Sequence, residues 1–140
     1  LKSIDLKDQL WNELVLKEKD FRDWIKENDW SAYKDAIVCI HCSADAIIPA
    51  WAFMLVTSSL ADAKKVICAS PKEAKADLFF TNLTEWDIAH LEDKRVMVKG
   101  CSDIPNPNKA YVVLTERLQP VVKSLMFGEP CSAVPVYKKR

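Results

Sequence analysis

Three short cysteine-led stretches hold the side chains best suited to chemistry: Cys42-Ser43-Ala44-Asp45, Cys101-Ser102-Asp103 and Cys131-Ser132. Each is followed by a proline (Pro49, Pro107 and Pro135), and the first two come after apolar, β-branched runs. Thiolates are soft ligands that suit zinc, copper(I) and iron–sulfur species. A zinc ion would need sulfurs about 2.3 Å away and a fourth ligand. His41 adjoins Cys42, but alternation along a strand sends neighbours to opposite faces, so Asp45, Asp103 or Glu129 is the better fourth group. The expected metal set is therefore Cys42, Cys101 and Cys131 with Asp45 and Asp103. The same loops suit nucleophilic chemistry. A thiol at a strand-to-helix turn is activated by the nearby N–H groups and helix dipole, so Cys42 or Cys101 would serve a thiol-dependent enzyme or a sulfur carrier. Against both stands a purely structural role, because free cysteine often only fills space and Ser or Asp after a strand commonly caps the next helix.

Other chemical side chains are less suggestive. Cys39 and Cys68 fall inside apolar strand-like runs and read as packing. His41 and His90 show no triad spacing. Trp11, Trp24 and Trp51 lie on apolar helical faces and read as core, while Trp30 and Trp86 read as loop closures. There is no phosphate-cradling glycine-rich loop and no serine nucleophile elbow. The basic end, Lys138-Lys139-Arg140, reads as a solvated tail.

The elements that must position the loops follow from periodicity and punctuation. Leu10, Trp11, Leu14, Phe21, Trp24 and Ile25 recur at three- and four-residue steps, as on one helical face, most clearly over 16–28. Residues 35–41, 65–69 and 95–99 are short apolar runs that read as strands buried on both faces. Helices are expected over 49–61, from 72 onward and over 109–124, with Asn106-Pro107 as a start signal and Pro120 as a kink. Residues 133–137 suit an edge strand, because Pro135 cannot donate to a central ladder. Strand and helix alternate, so the chain reads as α/β: a single three-layer domain over 1–140 with a mostly parallel sheet and helical crossovers. In such a sheet the loops bearing Cys42 and Cys101 reach one carboxyl edge, where ligands bind. No linker and no repeat of about 20–50 residues is visible.

Composition sets outer limits. The chain has 140 residues, 49% apolar and 29% charged, which is globular. Twenty Lys plus Arg balance 20 Asp plus Glu, so the overall field favours neither nucleic acid nor an anionic membrane. The apolar stretch 44–60 is interrupted by polar residues and falls short of the about 20 needed to span a bilayer. An odd cysteine count and no visible signal peptide point to a reduced, cytoplasmic protein without disulfides. A start at Leu1 without methionine suggests that a natural N-terminal piece is missing.

Four stretches carry a family resemblance: 18–22 (Glu-Lys-Asp-Phe-Arg), 42–52 from Cys42 to Ala52, 99–103 (Lys-Gly-Cys-Ser-Asp) and 117–124 from Arg117 to Ser124. With Gly128-Glu129-Pro130-Cys131-Ser132, they resemble domain of unknown function 2480, a bacterial family found mainly in Bacteroidetes. The match covers nearly the whole chain and brings no catalytic residues with it. What the resemblance implies is a gene neighbourhood of iron–sulfur cluster assembly, hence cluster-assembly proteins as partners and zinc, iron or an iron–sulfur cluster as the metal. The reading is thus a metal- or iron–sulfur-handling accessory protein, with a thiol enzyme or a scaffold as alternatives. Neither nucleic acid nor membrane is an expected partner, and nothing opposes a homo-oligomer.

Overall fold

The computed structural model describes every residue except Glu13, Ser102 and Pro130. The chain forms two compact units, Leu1–Lys75 and Ala76–Arg140. In the first unit β1 (Lys2–Asp5), β2 (Ile37–His41) and β3 (Lys65–Cys68) form an all-parallel sheet in the order β1-β2-β3. Helices α1 (Glu18–Glu27) and α2 (Ala50–Ser59) make the crossovers. Val38 and Ile40, alternate residues on one face of β2, pack with Phe21 of α1 and with Ala52, Val56 and Leu60 at α2. Partly buried Trp24 and Trp51 extend this core, and Phe21 meets both rings at 5.4 and 5.8 Å.

Helix α3 (Pro71–Glu85) runs across the boundary between the units. In the second unit β4 (Arg95–Val98) pairs in parallel with β5 (Ser124–Phe127) across helix α4 (Pro107–Leu118). Strand β6 (Val134–Lys138) closes that sheet antiparallel to β5, with an irregularity at Leu125/Met126. Ile88, Leu118, Val122 and Leu125 form its core. No helix among the described residues is long and apolar enough to cross a membrane. All five cysteines are free.

The α/β class and the three expected strands are present, but the strands do not share a sheet. Strand β4 pairs with β5, not with β2 or β3. The reason lies at Pro120, which lacks the N–H that a helix needs and whose ring would strike the carbonyl of Glu116. It ends α4 at Leu118 instead of kinking it, and this frees Ser124–Phe127 to become the parallel partner of β4. Strand β1, four residues with one buried side chain, carries too little pattern to be read from sequence. The helical face expected at Leu10, Trp11 and Leu14 is instead a 3-10 turn (Leu6–Gln9) and an irregular loop. Trp11 is 54% exposed there, and the Lys17 ammonium lies 4.4 Å from its ring centroid. Pro135 does sit in an edge strand.

Residues 29–69 of the first unit and 87–128 of the second share a set of hydrogen bonds. Asp29 and Asp87 accept from the backbone N–H two residues on. Asp35 and Asp93 both take positive φ, 58° and 55°, and donate their N–H groups to the carbonyls of Asp62 and Val121, each at 2.9 Å. The Thr57 and Thr115 hydroxyls donate to the Phe53 and Tyr111 carbonyls, each at 2.7 Å. Ala69 N–H reaches the Ile40 carbonyl at 3.1 Å, and Gly128 N–H reaches that of Val98 at 2.9 Å. The offset is 58 residues from Asp29/Asp87 to Leu60/Leu118, then 59 after one inserted residue. Val38/Val96, Asp45/Asp103 and Ala52/Ala110 are identical pairs in that register.

Candidate functional site

A cleft of about 620 Å³ opens at the carboxyl ends of β2 and β3 in the first unit. His41, Cys42, Cys68, Phe53, Ser70 and Glu73 are among the residues that line it. The order β1-β2-β3 contains no reversal, so this is not the switch-point crevice of a doubly wound sheet. It is built by the two loops that leave β2 and β3. Alternation puts Ile40 and Cys42 on one face, and Cys68, the register partner of Ile40, shares it. Cys42 is half-buried and its thiol donates to the Ala44 carbonyl at 3.7 Å, whereas Cys68 is exposed.

Both walls are fixed by specific bonds. Asp5, at the end of β1, accepts from the Lys7 and Ser43 amides at 2.9 and 3.1 Å and from the Ser43 hydroxyl at 2.6 Å. Burial opposes charge on Asp5, but the Ser43 hydroxyl, the two amides and nearby His41 outweigh it and hold its pKa below the usual aspartate value. This clamp pins the residue next to Cys42. On the other side Ser70 and Glu73 form a capping box at the start of α3. Glu73 N–H donates to the Ser70 hydroxyl oxygen at 3.2 Å, while Glu73 Oε1 accepts from the Ser70 amide at 3.3 Å. Ser70's hydroxyl and amide also keep the Glu73 pKa low.

The repeat supplies a control for the site. Counting from the Ile40/Val98 pair, Cys42 corresponds to Gly100 and Cys68 to Phe127. A Cβ placed on Gly100 would lie 3.5 Å from the Phe127 ring and 3.7 Å from the Tyr111 hydroxyl. Tyr111, the counterpart of Phe53, packs edge-on against Phe127 at 5.4 Å and accepts from the Cys101 amide at 3.3 Å. An apolar hollow of about 270 Å³ lies beside them. The Cys-Ser pairs that suggested a recurring motif are therefore one residue out of register: Cys101 corresponds to Ser43.

The residues expected from sequence fall as follows. Cys42 and Asp45 lie on the β2–α2 loop of the first unit, with Asp45 exposed and off the cleft wall. Cys101 and Asp103 lie on the β4–α4 loop of the second, and Cys131 follows β5; all three are exposed. Because β2 and β4 belong to separate sheets, no common sheet edge gathers Cys42 and Cys101. Among the described residues, no group of three or more His, Cys, Asp or Glu side chains could hold a metal ion. Cys39 is fully buried, and burial pushes its thiol pKa up, as suits a packing residue. Cys68 was expected to pack as well, but β3 ends on it and leaves its thiol in the open. Its position as the last residue of a short apolar run, before Ala69-Ser70-Pro71, was the available signal.

Fold and site together define a class: an α/β protein of two repeated strand–helix–strand units, one with a thiol-lined cleft and the other with an aromatic plug. The chain belongs to the family described as protein of unknown function (DUF2480), whose family model matches residues 1–139. No curated protein and no solved structure matches the chain.

Proposed function

We propose that this protein is a thiol-based accessory protein that takes up a thiophilic metal ion or an iron–sulfur species as cargo through the cleft of its first unit. The supporting observation is that the cleft holds Cys42, half-buried and braced by the Asp5 clamp, where the duplicated unit has Gly100 under an aromatic plug. A thiol held in an open cleft ligates soft metals well, and with few donors around it releases them readily. Cargo in transit needs both properties. Exposed Cys101 and Cys131, with Asp103 on the Cys101 loop and Asp45 on that of Cys42, are further donors available for exchange with a partner that assembles or carries such species. In this reading Cys42 is the anchor.

Metal analysis of protein purified without oxygen tests the reading. Wild-type protein offered zinc, ferrous iron or copper(I) in turn should retain a stoichiometric ion of at least one of them, and Cys42→Ser should lose it while keeping its circular dichroism spectrum. Retention of the ion by Cys42→Ser, or no uptake by the wild type, would overturn the reading. A persulfide on Cys42 in the mass spectrum of the wild type, without metal, would replace it by the sulfur-carrier alternative.

A further inference from the structure

We infer that Cys42 and Cys68 form a two-thiolate site whose ligand is a soft, low-coordinate monovalent ion of the copper(I) type. The inference rests on the cleft being a metal-handling site, and it adds a second ligand and a choice of metal. Cys68 lies opposite Ile40 in the parallel register, and Cys42 follows Ile40 by two residues, so the two cysteines are diagonal neighbours on one face. With neighbouring strands about 4.8 Å apart and a rise of about 3.3 Å per residue, such diagonal positions lie roughly 8 Å apart, a gap that two thiolate side chains can close around one ion. The repeat supports the same direction independently, since a side chain at Gly100 would meet Phe127, the counterpart of Cys68, at 3.5 Å.

The remaining polar groups argue against a four-coordinate ion. Glu73 and Ser70 are engaged with each other in the capping box. Asp5 is engaged by Ser43 and Lys7. His41 also lines the cleft, but as the strand neighbour of Cys42 its side chain alternates to the other face, beside Asp5, its register partner. Two sulfurs remain. Thiolates suit zinc and copper(I) alike, but zinc in structural sites is almost always four-coordinate, whereas copper(I) is content with two sulfurs. Binding is a ligand exchange without electron transfer: each thiol gives its proton to solvent as its sulfur bonds to the ion, and a chelator leaves.

The test is anaerobic competition between the whole protein and a chromophoric copper(I) chelator. Wild-type protein should withdraw one copper(I) per chain. Cys42→Ser and Cys68→Ser should each weaken binding by on the order of a hundredfold or more, beyond what loss of an outer-shell partner costs. Cys68→Phe, which copies Phe127, should abolish binding with the circular dichroism spectrum retained. If Cys42→Ser loses copper but Cys68→Ser does not, the pair is refuted while the cleft keeps its metal role. If the protein holds zinc or iron but cannot compete for copper(I), the pair is again refuted alone. If neither metal test shows binding, both readings fall.

Discussion

The two units share one backbone plan and differ where it matters for chemistry. At the carboxyl ends of their parallel strands the first presents Cys42, Cys68 and Phe53 around an open cleft, and the second presents Gly100, Phe127 and Tyr111. The hydrogen bonds that frame the strands and helices recur in both, while the loops after β2 and β4 are held differently, by Asp5 and by the Tyr111 hydroxyl. Two rings packed edge-on at that edge bury part of their apolar surface, although Phe127 stays 38% exposed. Leaving that edge open with thiols forgoes the gain, which makes the first unit's edge the place to look for function.

The largest expected effects test whether the units are true equivalents. Leu60 and Leu118 occupy corresponding places after α2 and at the end of α4, 3% and 1% exposed. Replacing either by Ala should cost about 3 kcal/mol, the usual range for a buried leucine. Denaturant unfolding of both variants checks this, and a cost below about 1 kcal/mol in one alone would break the equivalence.

Gly128 and Ala69 make the next contrast. Gly128 takes φ +119°, and a Cβ there would lie 3.2 Å from the Ser132 carbonyl oxygen. Gly128→Ala should therefore destabilise by roughly 1–3 kcal/mol, although Ala69 stands at the matching place in the first unit. A neutral thermal melt would mean that the two turns are alike after all.

Smaller again is the clamp. Asp5→Ala removes two hydrogen bonds to the β2–α2 loop and one to the Lys7 amide, and should cost about 1 kcal/mol at neutral pH. It should also speed alkylation of Cys42, read by mass spectrometry, with Cys39 staying slowest. The pH dependence has a definite sign. Because the folded pKa of Asp5 lies below its ordinary value, its contribution is complete above the ordinary carboxylate range and fades as pH falls through the folded pKa. Wild type and Asp5→Ala should thus converge in stability under acid; a gap that widens there would contradict the clamp. Smallest of all, Gly100→Ala should change stability by less than about 0.5 kcal/mol, since its new contacts at 3.5 and 3.7 Å are ordinary ones.

Much of this architecture was legible in the residues. The apolar runs at Ile37–His41, Lys65–Cys68 and Arg95–Val98 are strands, and Pro107 does open α4. What misled was local pattern without partners. Val121, Val122 and Leu125 fit a helical spacing, but Pro120 stops the helix and hands Leu125 to a strand. That single reassignment decides that β4 has its own partner. The repeat was also present in sequence, at 58 residues, longer than the 20–50 residues typical of solenoid units. It was hidden because the eye aligns Cys42-Ser43 with Cys101-Ser102, while the backbone aligns Cys42 with Gly100. Cys68 was overlooked because a thiol at the last residue of a strand looks in sequence like one inside it.

The most direct test converts one edge into the other. A Cys42→Gly/Cys68→Phe variant gives the first unit the residues of the second, and its metal content can be compared with that of the wild type after anaerobic loading. The expected result is metal at background level in a variant whose far-ultraviolet circular dichroism and cooperative melt are retained. Undiminished, stoichiometric metal in that variant would contradict the assignment of function to the first unit's cleft.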